Sequence, residues 1–169
     1  MTFYSDLSEY AYLGQDLYRL GTKNIGWLGL GHEFERGELT DEILDKVWSF
    51  CKISVGQTRG IHECEFCHGD SYYAERNDEK LLLGSSEIRV FSRDGDRYAA
   101  PTLIYHYMKM HCYTPPVEFI RALEDGPAPS SQEYFDKLEK LGIEWRKTSA
   151  PAEKPVRVRS TQKPHKGPE

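Results

Sequence analysis

The spacing of apolar side chains predicts one well-defined helix in the first half of the chain. Between about residue 40 and residue 53, apolar residues recur at intervals of three and four, as one face of an α-helix requires. The members of this stripe are Ile43, Val47, Phe50 and Cys51. Thr40 can cap the first turn, and Asp41 and Glu42 suit the positive end of the helix dipole. We therefore expect a core helix in which Cys51 is an ordinary apolar side chain.

A change of period marks a hairpin further along the chain. Residues 85–92 alternate between polar and apolar, residues 93–96 (RDGD) supply a turn, and residues 97–100 (RYAA) form the returning strand. Pro101 can occupy the first turn of a following helix, which we expect to continue to about His111.

Two more helices are expected before the C-terminal segment. The pair 115–116 (PP) ends the preceding helix and opens another. The apolar residues of this next helix are Phe119, Ile120 and Leu123. A last helix begins at Ser130, where Glu133 completes a capping box, and ends near Gly142. Helices mixed with antiparallel strands predict a single small α+β domain with a hairpin or sheet and about four helices.

Composition and charge divide the chain into a body and a tail. Of the 169 residues, 38% are hydrophobic and 29% charged, which is typical of a globular domain. Residues 147–169 carry six Lys or Arg against two acids, a net charge of +4, and the whole chain carries −5, so residues 1–146 carry −9. We predict a globular domain over 1–146 and a flexible, basic, Pro-rich tail over 147–169.

The same patterns restrict location and partners. The longest apolar runs are far shorter than the roughly 20 residues of a membrane span, and the N-terminal residues lack the pattern of a signal peptide. We expect a cytoplasmic protein with no membrane association. Because the body is acidic, nucleic-acid binding is expected only weakly, through the basic tail.

Two cysteines and two histidines form the strongest chemical signal. Cys64 and Cys67 can chelate one metal ion, because a turn over two intervening residues brings both sulfurs to one side. His106 and His111 have the spacing of the second half of a Cys2His2 zinc site. On an ideal helix their imidazoles would point about 140° apart, so both can bind one ion only if the helix loosens near its end. We predict a Zn2+ site formed by these four residues.

Alternative ligands and alternative chemistry stay open. His62, His68 and Cys112 can each replace one of the histidine ligands. A redox role for the two cysteines is disfavoured, because Gly69 soon interrupts the long helix that follows a thioredoxin-like motif.

A zinc-dependent hydrolase is the alternative to a structural site. If one histidine is not a ligand, Glu63, Glu65 or Asp70 can serve as a general base for zinc-activated water. The His-Glu pairs at 32–33 and 62–63 lack the second histidine of the metalloprotease motif. The base-deaminase signature fails as well, since Glu63 and not proline precedes the first cysteine.

Several longer stretches resemble a known family. They are residues 24–28 (NIGWL), 58–67 (TRGIHECEFC), 83–90 (LGSSEIRV) and 98–107 (YAAPTLIYHY), followed by His111, Tyr113, Pro115, Pro116 and Phe119. Together they are similar to a family of uncharacterised small bacterial proteins over about residues 5–124. The resemblance implies a common bacterial domain in which Cys64, Cys67, His106 and His111 occupy the motif positions of ligands.

Four protein ligands leave a zinc ion no open position, so we expect the zinc to be structural and the protein to be non-catalytic. The acidic body favours a basic protein partner, in a toxin-neutralising or adaptor role.

Overall fold

The computed structural model describes residues 2–12, 21–67 and 73–148. Within them, the chain forms seven strands and four helices. In chain order these are β1 (Thr22–Asn24), α1 (Asp41–Cys51), β2 (Ile53–Val55), β3 (Tyr73–Arg76), β4 (Glu79–Leu82), β5 (Glu87–Phe91), β6 (Arg97–Pro101), α2 (Ile104–His111), α3 (Val117–Asp125), α4 (Gln132–Lys140) and β7 (Trp145–Lys147). The predicted α+β class is confirmed.

A five-stranded mixed sheet carries the fold, in the order β1-β6-β5-β2-β7. Its centre is the predicted hairpin, in which β5 pairs antiparallel with β6 and Ile88 lies opposite Ala100. β1 runs parallel to β6 at one edge, and β7 pairs antiparallel with β2 at the other. A separate two-stranded sheet is formed by β3 and β4.

Helix α1 forms as its sequence predicts. The Thr40 hydroxyl accepts a hydrogen bond from the backbone N–H of Ile43, at 3.4 Å, and so caps the first turn. The apolar stripe is buried, and Cys51 is fully enclosed, as expected of a core residue. The helix contacts α2, α3 and strand β5, so it links the helical layer to the sheet.

Two predicted helix starts were wrong. α2 begins at Ile104, because Pro101 is the last residue of β6 and lies opposite Glu87, at a strand end where a missing N–H is tolerated. α4 is capped by Ser131 instead of Ser130, since the Ser131 side chain accepts from the Tyr134 N–H.

The sheet is covered on both faces. Ile88, Val90 and Ala100 belong to the main core, on the side of the helices. Ala99 points to the other face, where it packs with Tyr10 and Trp27. Tyr10 is therefore core, whereas Tyr73 is 37% exposed.

The predicted tail lies mostly outside the described residues, which end at Thr148. Lys147 still belongs to β7, where it pairs with Ile53. The predicted boundary between body and tail stays a prediction. Among the described residues, none of the helices has the length and apolar character needed to cross a bilayer.

Candidate metal centre

The structure brings together the four side chains predicted as ligands. The Cys64 sulfur lies 3.2 Å from Nε2 of His111, and the Cys67 sulfur lies 3.3 Å from Nε2 of both His106 and His111. The two Nε2 atoms are 3.3 Å apart. All four donor atoms lie within 4.8 Å of one another.

These separations fit one tetrahedral ion. Bonds of about 2.3 Å to sulfur and about 2.05 Å to nitrogen place a sulfur about 3.5 Å from a nitrogen, and two nitrogens about 3.3 Å apart. The four donor distances given above agree with these values to within a few tenths of an ångström. Cys64, Cys67, His106 and His111 can therefore hold a metal ion.

Backbone contacts position the cysteine loop. The chain entering it runs beside the bend between β4 and β5. The N–H of Thr58 donates to the Ser85 carbonyl and the N–H of His62 donates to the Gly84 carbonyl, both at 2.8 Å. Gly84 has a φ of +85°, and a Cβ there would collide with the His62 carbonyl. Only glycine allows the backbone at residue 84 to lie this close to the His62 carbonyl. This contact directs the residues after His62 towards α2.

The end of α2 explains how two histidines five residues apart can converge. The N–H of Cys112 donates to the carbonyl of Tyr107, five residues back, and the N–H of Tyr113 donates to the same carbonyl at 3.1 Å. The last turn is therefore wider than an α-helical turn. Cys112 then adopts a left-handed conformation, with φ 55°, which ends the helix. The loosening expected from the sequence is present.

An aromatic shell covers one side of the cluster. Phe66 lies between the two cysteines in the sequence. Its ring packs against the His111 ring, with centroids 5.4 Å apart, and against the Tyr107 ring, with centroids 6.0 Å apart. Phe34 contacts Phe66 edge-on from the far side, at 5.5 Å. These ring contacts hold the cysteine loop against α2.

Burial determines the protonation states of the donors. Burial lowers the pKa of His106 and of His111, with smaller contributions from His111 and Arg36 respectively, so both imidazoles are neutral at pH 7 and can bind a metal. Burial raises the pKa of the Cys64 thiol to about 11, against the opposing N–H groups of Phe66 and Cys67. Metal binding must therefore displace a proton from this thiol.

The alternative ligands lie elsewhere or outside the described residues. Cys112 is exposed and does not belong to the cluster. The His62 Nε2 atom lies 3.1 Å from the Tyr12 hydroxyl, also apart from the cluster. His68 and Asp70 fall outside the described residues. The Glu65 carboxylate accepts the N–H of Leu30 at 2.9 Å, which ties the cysteine loop to residues near β1.

One buried polar group was missed by the sequence analysis. Glu87 and Arg89 form an ion pair at 2.5 Å, with both side chains only 2% exposed. The Tyr10 hydroxyl lies 2.9 Å from each oxygen of the Glu87 carboxylate. The alternation in residues 85–92 gave no sign of this pair, because it does not reveal that a second layer covers the polar face.

Comparison with known proteins places the chain in a family. The profile of a family described as a domain of unknown function (DUF7919) matches residues 2–124. The chain belongs to this family. The match includes all four cluster residues and ends within α3, so α4 and β7 lie beyond it. No curated protein and no solved structure matches the chain.

Proposed function

We propose that this DUF7919 protein is a non-catalytic interaction module that is stabilised by one structural zinc ion and binds a basic protein partner. The observation that carries the proposal is the convergence of two thiols and two imidazoles at tetrahedral separations.

The donor set favours zinc over other ions. Two thiolates with two imidazoles in tetrahedral geometry form a typical zinc site, whereas Mg2+ and Ca2+ prefer oxygen donors. Two negative thiolates would balance the charge of the divalent ion, so the loaded centre is neutral.

A structural role follows from the number of ligands and from what they connect. Four protein donors complete a tetrahedral shell, whereas catalytic zinc keeps one position for water. The ion would join the loop at Cys64 and Cys67 to helix α2, 39 to 47 residues away, across the β5–β6 hairpin. Structural zinc contributes about 10 kcal/mol of apparent binding free energy, comparable with the stability of a whole domain.

The partner is inferred from charge. The net charge of −9 over residues 1–146 would attract a cationic protein and raise its association rate at low salt. An adaptor and a toxin-neutralising protein would both present such a surface to a basic partner.

Metal content tests the site. We expect one zinc per chain by elemental mass spectrometry of the untagged protein, and weakened or abolished zinc binding in Cys64→Ser, His106→Ala and His111→Ala. Cys112→Ser is the matched control, because Cys112 is exposed and outside the cluster, and it should retain one zinc. Zinc-free wild-type protein would contradict the proposal, and full zinc content in either histidine variant would contradict a closed four-ligand site.

A further inference from the structure

An open groove of about 570 Å³ lies beside the metal centre, between the N-terminal residues 3–6 and the loop 32–36. Its apolar surface includes Phe3, Leu28 and Phe34, and its acidic residues include Glu33 and Glu35. The volume is in the range of ligand-binding clefts, about 300–1,000 Å³. The groove combines an apolar surface with negative charge.

The two glutamates of the groove are not neutralised locally. Both are exposed, and neither forms an ion pair with another residue in the described part of the chain. The neighbouring Arg36 also lines the groove, but its guanidinium makes other contacts. Its guanidinium lies 4.4 Å from the Phe34 ring centroid and donates to the His111 carbonyl at 3.4 Å. The charge of Glu33 and Glu35 is therefore available to a cationic ligand.

The groove wall is held by the residues that follow the second histidine ligand. The N–H of Thr114 donates to the Glu35 carbonyl at 2.9 Å, and Arg36 forms a β-bridge with Tyr113. The Phe34 ring packs edge-on against Tyr113, with centroids 6.0 Å apart. A zinc ion bound to His111 would therefore also fix this wall, and in this respect the inference rests on the proposed function.

The C-terminal segment 149–169 has the matching chemistry. It carries five Lys or Arg against two acids, a net charge of +3. Residues 156–159 (VRVR) alternate valine and arginine. In an extended backbone such a sequence presents valines on one side and arginines on the other, matching the apolar surface and the acidic residues of the groove.

The chain is long enough to reach. β7 and β1 lie at opposite edges of the sheet, four strand spacings or about 19 Å apart. Tyr4, which lines the groove, forms a bridge to Trp27 just after β1. The six extended residues from Thr148 to Lys154 span up to about 20 Å, and the eleven from Thr148 to Arg159 span up to about 36 Å.

We propose that residues 154–159 dock into this groove in the same chain, with Arg157 and Arg159 facing Glu33 and Glu35. A tethered segment has a high effective concentration, so it competes with any basic partner for the groove. Partner binding then requires displacement of the segment.

Zero-length cross-linking tests the proposal on the full-length, zinc-loaded protein. A carbodiimide joins a carboxylate to a lysine amine only when the two groups are in contact. The reaction is run at low salt, near 10 mM, where the Debye length is about 30 Å and charge pairs are weakly screened. We expect amide links between Glu33 or Glu35 and Lys154, identified by peptide mass spectrometry. An equal mixture of isotope-labelled and unlabelled chains should show these links within single chains.

Two double variants that remove the same charge distinguish specific docking of residues 154–159 from a general electrostatic attraction between the basic segment and the acidic body. Arg157→Ser with Arg159→Ser should lower the yield of these links about five- to tenfold, from the loss of two surface charge pairs. Lys163→Ser with Lys166→Ser removes the same charge and should leave the yield nearly unchanged. Equal loss in both variants, or equal linking to distant carboxylates such as Glu144, would overturn the proposal.

Two further outcomes have distinct meanings. Links between differently labelled chains would overturn docking in the same chain and assign the groove to a second copy. Zinc content is measured on the same sample. If the sample holds one zinc per chain and the cross-links are absent, the docking alone is refuted. If the purified protein holds no zinc, the proposed function is refuted.

Discussion

The buried pair of Glu87 and Arg89 makes a sharp prediction about stability. Arg89→Met keeps much of the side-chain volume but removes the guanidinium that contacts the Glu87 carboxylate at 2.5 Å. Glu87 is then left with the Tyr10 hydroxyl as its described hydrogen-bond donor, at 2.9 Å, inside a region from which water is excluded.

The expected cost follows from this burial. Removing one partner of a buried ion pair destabilises a protein by about 3–5 kcal/mol, because the other charge stays buried and uncompensated. Arg89 Nε has no hydrogen-bond partner of its own among the described residues, which favours the lower part of that range. At about 2–4 °C per kcal/mol for a domain of this size, the melting temperature should fall by about 6–16 °C.

A double variant tests the physical reason. Glu87→Gln with Arg89→Met removes both charges while the glutamine can still accept from Tyr10, so we expect at least half of the lost stability to return. The assay is urea unfolding of the zinc-loaded proteins, followed by circular dichroism. A loss below about 1 kcal/mol in Arg89→Met, or a double variant as unstable as the single one, would refute the reasoning.

Two other measurements address the metal and the groove. Exhaustive chelation should remove a contribution of about 10 kcal/mol, comparable with the stability of the whole domain, so the zinc-free chain should lose its cooperative thermal unfolding transition. An unchanged melting temperature would exclude a structural metal. Burial raises the pKa of Asp6 above its ordinary 3.8, against hydrogen bonds from Gly26 and Tyr113, so the folded chain binds that proton more tightly than the unfolded chain. The contribution of Asp6 to stability should therefore decline as pH rises from about 4 through the folded pKa. The melting temperature of the wild type minus that of Asp6→Asn should decrease over this interval, and a difference independent of pH would contradict the assignment.

Local patterns were sufficient wherever one short segment carries the information. The Thr40 cap and the apolar stripe defined α1, and the alternation after residue 85 defined the hairpin. The same holds for the candidate ligands. Two cysteines in one turn can chelate a metal ion by themselves. His106 and His111 lie near a helix end that the prolines at 115–116 predict. Spacing thus identified all four members of the cluster, although it could not exclude Cys112 or His62 as substitutes.

The tertiary structure decided everything that depends on which distant segments meet. Pro101 ends a strand because β5 pairs with it, and Glu87 and Arg89 are buried because the N-terminal residues cover the second face of the sheet. The acidic groove exists because loop 32–36 lies against Tyr113, about eighty residues away in sequence. By itself, the sequence determined local conformation and the inventory of metal-binding groups. Burial and the meeting of the two halves of the site depend on long-range packing, which hydrophobic periodicity does not encode.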